Sequence, residues 1–150
     1  MGDCCMNEFI EQRIIGAVRG LLIGRVNELL RELQFYIPVI EFKGNSDWSS
    51  VDPLISLSGC EQTEKERLIK IEAYSLTVTF NVPEFDDSQL FCYAYASAFG
   101  KAIEENPTLG GVVSRAVVSG KKYIQPKKLH CGDDWGLIIS LRITVEELRK

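Results

Sequence analysis

The stretch Trp135–Glu146, WGLIISLRITVE, alternates as a half-buried strand does. Trp135, Leu137, Ile139, Leu141, Ile143 and Val145 share one parity. Ser140, Arg142, Thr144 and Glu146 take the other, with Ile138 the exception. Successive side chains of a strand point to opposite faces, so one face here is built for burial and the other for water. A sheet with one wet face is typically antiparallel, because parallel sheets are covered on both sides.

Working back from that strand, Val112–Val118 is a second one, set between Gly110-Gly111 and Gly120 and continued by Lys121–Ile124. Pro126–Asp134 is a turn-rich link. Leu68–Val82 is a long third strand closed by Pro83. Its apolar residues change parity, from Ile69 and Ile71 to Leu76, Val78, Phe80 and Val82, which predicts a bulge or bend near Ala73–Ser75. Between these strands the apolar residues Leu90, Phe91, Ala94, Tyr95, Ala98, Phe99, Ala102 and Ile103 recur at one-face helical spacing. Asp86, Asp87 and Ser88 supply oxygens at the helix start, and Asn106-Pro107 stops it.

The N-terminal part, Asn7–Leu33, also reads as helical. Gly16, Gly20 and Gly24 weaken it and predict either close packing on a sheet or a break near Gly20–Gly24, with a second helix through Asn27, Leu29, Leu30 and Leu33. Tyr36–Phe42 reads as a short strand that Pro38 confines to an edge. Lys43–Asp52 is a polar loop containing Trp48, expected to fold back on the core. Leu54–Leu57 is a short strand, followed by a charged turn, EQTEKER, over Glu61–Arg67. No internal repeat or low-complexity tract is found. The pattern is one α+β domain spanning 1–150, an antiparallel β-sheet with helices packed mainly on one face.

A folded monomer of 16.9 kDa buries about two thirds of the surface of its unfolded chain, enough for a core without staples. Net charge -4 argues against a protein held on nucleic acid by global charge. The five cysteines, Cys4, Cys5, Cys60, Cys92 and Cys131, are odd in number and contain no CxxC pair, which points to a reducing cytoplasm rather than a disulfide framework. Met1–Asn7 lacks the features of a signal peptide, and Ile14–Val26 is too short and too charged to span a membrane.

Catalytic signatures are missing. No GxSxG elbow or P-loop occurs, and the glycines at 16–24 do not follow a strand. The single histidine, His130, sits beside Cys131, Asp133 and Asp134 in a CGDDWG turn, too few ligands for structural zinc. The expectation is no enzyme activity, no cofactor and no metal. Charge is more informative. Lys121, Lys122, Lys127 and Lys128 cluster in KKYIQPKK, while Glu61, Glu64 and Glu66 form an acidic counterpart, with a further acidic group at Glu84, Asp86 and Asp87. A molecule with separated basic and acidic patches can join copies head to tail, and such contacts close into rings or grow into filaments. The lysines and Glu61, Glu64 and Glu66 are the candidate assembly interface.

The order of these elements, with the phrases IPVIEF, LTVTFNVP, NPTLGG (Asn106–Gly111) and WGLIISLRITVEE (Trp135–Glu147), resembles the bacteriophage tail terminators and related minor tail proteins, including prophage-encoded ones. The likeness runs from about Ile10 to Glu147. It implies a small α+β subunit of a hexameric ring that caps the tail tube and offers a surface to the head connector, without enzyme activity. It implies partners in copies of itself, the tube protein and the connector, with assembly in the bacterial cytoplasm and a final place in the virion tail. No membrane and no sequence-specific nucleic acid is expected as a partner. The extended N-terminal region, Met1–Asn27, and KKYIQPKK depart from the smaller members. Two other readings are a host adaptor that binds a peptide at an exposed strand edge, and a small enzyme using His130 and Cys131.

Overall fold

The chain is described by a computed structural model over residues 9–44, 46, 49–65, 69–83, 87–126 and 134–148. Helix α1 (Ile10–Leu21) runs through a π-helical turn (Leu22–Val26) into α2 (Asn27–Arg31). The short strands β1 (Val39–Ile40) and β2 (Ser50–Val51) pair in parallel. Then come β3 (Leu54–Lys65), β4 (Ile69–Val82), α3 (Ser88–Glu105), β5 (Arg115–Ile124) and β6 (Trp135–Leu148). The four long strands form one antiparallel sheet in the order β3-β4-β6-β5.

The fold follows from parity. Tyr74, Leu76, Val78, Phe80 and Val82 on β4 are buried, and so are Trp135, Leu137, Ile139, Leu141, Ile143 and Val145 on β6. Onto this face α3 lays Phe91, Tyr95, Phe99, Ala102 and Ile103, and α1 with its π turn adds Ile14, Val18, Leu22 and Val26. Each large apolar side chain so buried contributes about 1.5–3 kcal/mol relative to exposure. Phe80 and Tyr95 stack at 5.2 Å, and the Tyr95 hydroxyl donates to the Pro38 carbonyl at 2.5 Å. That bond satisfies a phenol that burial would otherwise penalise. The fold is α+β, as the alternation of Trp135–Glu146 predicts.

Several local expectations are corrected. The break expected near Gly20–Gly24 takes the form of a π turn: α1 ends at Leu21, the π turn holds Leu22–Val26 and α2 starts at Asn27, so the backbone stays helical across it. The glycines do not pack closely, for Gly16, Gly20 and Gly24 would each present a Cβ to open space. The strand expected over Tyr36–Phe42 is only Val39–Ile40, because Pro38 precedes it and Tyr95 takes the Pro38 carbonyl. EQTEKER is no turn from its start: Glu61–Lys65 extend β3, paired residue by residue from Glu61↔Ala73 to Lys65↔Ile69. β4 carries no bulge at Ala73–Ser75; its register with β6 is unbroken, and Ile69 and Ile71 lie half-buried on the face opposite the core. α3 starts at Ser88, but the expected cap is not made: Asp87 is the N-cap residue and its side chain makes no capping hydrogen bond, while the Ser88 hydroxyl donates to the Pro83 carbonyl at 2.8 Å. Leu90, which the spacing places on the apolar face of α3, is 45% exposed instead, and Tyr93 is 46% exposed.

The bulges lie on the two edge strands. The register slips between Leu57 and Gly59 on β3 and between Val118 and Gly120 on β5. Leu57 and Val118 end the row Leu57↔Leu76↔Leu141↔Val118, so the extra residues, Ser58 and Ser119, leave the same row from opposite edges. Each serine hydroxyl donates to a carbonyl of the adjacent strand at 3.2 Å, Ser58 to Ser75 and Ser119 to Ser140. The hairpins β3-β4 and β5-β6 are thus related by a local two-fold through the Leu76–Leu141 pair. It maps Leu57-Ser58-Gly59 onto Val118-Ser119-Gly120 and Ser75-Leu76 onto Ser140-Leu141. The sheet reveals a repeat that the sequence alone does not.

Candidate assembly interface

β3 and β5 are the outer strands of the sheet, so each leaves one row of backbone groups unpaired by any strand among the described residues. Such edges invite another strand unless charge, proline or a bulge blunts them. Both are bulged, and both are long.

Glu61 lies on β3 opposite Ala73, and Glu64 stands at the register position opposite Lys70. Lys121 and Lys122 lie on β5 opposite Ile139 and Ile138. Glu61 and Glu64 on one side, and Lys121 and Lys122 on the other, therefore occupy opposite edges of one sheet. Glu61, Lys121 and Lys122 are exposed. Glu66, Lys127, Lys128, Trp48, Glu84, Asp86, His130, Cys131 and Asp133 lie outside the described residues.

The start of β5 is anchored from outside the sheet: the Ala116 amide donates to the Pro107 carbonyl at 2.6 Å. Pro107 belongs to the NPTLGG turn, which runs through positive φ at Leu109 (50°), Gly110 (71°) and Gly111 (90°). Beyond this anchor, a groove of about 650 Å³ runs between α3 and β5, lined by Gly100, Ile103, Glu104, Arg115, Val117 and Lys121 among others. An apolar hollow of about 450 Å³ lies on the other side of α3, between Leu33 and Phe35 below and Leu90 and Tyr93 above. Tyr93 meets Tyr123 of β5 edge to face at 5.2 Å, which joins the hollow to the basic edge. Tyr93 is thus a surface residue, while Tyr95 and Phe99 belong to the core.

At the acidic edge, a polar cluster escaped the sequence reading. Glu72 is buried and accepts from Gln62 Nε2 at 3.0 Å, with Lys70 Nζ at 3.7 Å and Cys60 Sγ at 3.9 Å. Desolvation, and then the Glu72 charge, push the Cys60 thiol above its ordinary range despite the Tyr74 hydroxyl beside it. Desolvation also raises Tyr74. Cys60 therefore stays protonated at neutral pH and is a poor nucleophile. Only register could have revealed this cluster, since Gln62 faces Glu72 across the β3-β4 pair. Among the described residues no three His, Cys, Asp or Glu side chains gather as a metal site, and no helix is long and apolar enough to cross a membrane.

No protein-family model matches the chain, and no curated protein matches it.

Proposed function

We propose that this chain is a structural protein of a phage or prophage tail, resembling the tail terminators, that acts by association and catalyses no reaction. Copies join through opposite edges of the β-sheet into a ring, hexameric by that resemblance. The ring caps the tail tube and presents a surface to the head connector, first in the host cytoplasm and finally in the virion tail.

The observation that carries this reading is the placement of opposite charge on the two open edges, Glu61 and Glu64 on β3 against Lys121 and Lys122 on β5. Patches on different sides of a subunit make a heterologous contact, the kind that generates rings. Charge complementarity sets orientation and encounter rate, and the apolar surface at the contact supplies affinity. Tyr93, which lines the apolar hollow, touches Tyr123 of the basic edge, so apolar surface lies next to the charges at this contact.

The test is to polymerise purified tube protein with increasing amounts of the chain and to measure tube lengths by electron microscopy. Shortened tubes with a ring at one end are expected. Unchanged lengths at every ratio would remove the capping function.

A second reading, an adaptor that takes a peptide as an added strand, draws on the groove beside β5. It predicts a one-to-one complex with a host protein and no ring.

A further inference from the structure

The two-fold within the sheet bears on how one copy meets the next. The register slips place Gly59 and Gly120 in equivalent positions, so that Cys60 corresponds to Lys121, Glu61 to Lys122 and Gln62 to Tyr123. Resting on the assembly reading above, we propose a register for the contact. β3 of one copy pairs antiparallel with β5 of the next, with Glu61 directly opposite Lys122.

Three observations carry this register. The first is geometric. Residues opposed in an antiparallel pair must share a face and must present their backbone groups in the same sense. Glu61 and Lys122 meet both conditions because they are equivalent: each lies on the face away from the core, opposite Ala73 and Ile138, and each looks toward its own free edge in the same way. The Leu76↔Leu141 pair inside the molecule is the same arrangement, two equivalent residues opposed on adjacent strands.

The second is extent. Centred on Glu61 and Lys122, the pairing sets Gly59 against Ile124, Cys60 against Tyr123, Gln62 against Lys121 and Thr63 against Gly120. It uses the straight segments beyond both bulges and avoids the start of β5, where the Ala116 amide is already held by Pro107.

The third is charge. Joining β3 to β3 about the same centre sets Glu61 against Glu61, and joining β5 to β5 sets Lys122 against Lys122. Like charges directly opposed across strands destabilise the pair. Only the mixed contact opposes unlike charges, so the same two residues favour head-to-tail growth and block symmetric dimers.

The experiment uses four forms of the full chain: wild type, Glu61→Lys, Lys122→Glu and the double reversal, checked for folding by circular dichroism. Association is followed by sedimentation velocity, alone and with purified tube protein, at low and high salt. Each single reversal places like charges at every contact and is expected to weaken association about tenfold or more. An equimolar mixture of the two single variants restores opposite charges at contacts between unlike copies, so it is expected to assemble near the wild-type level. The double reversal is expected to do the same. High salt is expected to narrow these differences. Wild-type association with single variants that assemble equally well would overturn the register and leave assembly standing. Weakened singles that neither mixture nor double reversal rescues would also overturn it. A wild-type chain that stays monomeric throughout, with and without tube protein, would overturn both the register and the assembly reading.

Discussion

The side-chain amide of Asn27 closes on the backbone of Ile40 from both sides. Its Oδ1 accepts from the Ile40 amide at 2.8 Å, and its Nδ2 donates to the Ile40 carbonyl at 2.9 Å. The same Nδ2 also reaches the Ile23 carbonyl at 3.0 Å, within the π turn. Asn27 and Ile40 are both buried, so the amide does the work of a neighbouring strand and ties β1 to the helix. In Asn27→Ala two buried backbone groups lose their partners. A loss of about 2–4 kcal/mol is expected in urea unfolding, against little change for an exposed control such as Glu28→Ala.

The glycines divide into two kinds with opposite predictions. Gly16 and Gly20 lie exposed within α1 with open space where a Cβ would stand. Gly16→Ala and Gly20→Ala are each expected to stabilise by about 0.5–1 kcal/mol, since alanine restricts the unfolded chain and suits the helix. Gly110 and Gly111 have φ of 71° and 90° and also have room. Alanine there is expected to cost about 1 kcal/mol through backbone strain alone. Thermal unfolding of the four variants reads both signs.

Burial pushes the Cys92 thiol up to about 11 from an ordinary 9.0. In the unfolded chain the thiol ionises near its ordinary value, while in the folded protein it stays protonated. Its contribution to stability is therefore full below about pH 9 and is lost as pH rises toward 11. The urea midpoint is expected to fall between those pH values, and to fall less in Cys92→Ala. In the native protein Cys92 is also expected to resist a thiol reagent at neutral pH.

Trp135–Val145 was legible because every second residue is apolar and buried, so period and burial agree. The second half of β3 was not. CEQTEK has no apolar parity, and it is held as a strand by pairing with β4, where Gln62 finds Glu72. Ile69 and Ile71 misled because isoleucine also suits the half-buried outer face of a strand. The charge runs were visible, but their meaning was not. That Glu61 and Lys122 flank opposite sides of the sheet depends on the strand order β3-β4-β6-β5, which no local pattern encodes. The two-fold was hidden for a like reason: only Ser-Gly, Ser-Leu and the pair Thr79 and Thr144 are shared by the two hairpins, and their equivalence lies in register.

Cross-linking between copies reads the edge-to-edge contact without relying on affinity. Cys4, Cys5, Cys60 and Cys131 are first replaced by serine, which leaves the buried Cys92, and one cysteine is then placed at Glu61 in one form and at Lys122 in another. On mild oxidation, alone and with tube protein, the mixture is expected to yield a dimer joining the two forms. A chain carrying both cysteines is expected to yield a ladder ending at the ring. Absence of any cross-link between copies under every condition, from a protein that remains folded, would contradict assembly through these edges.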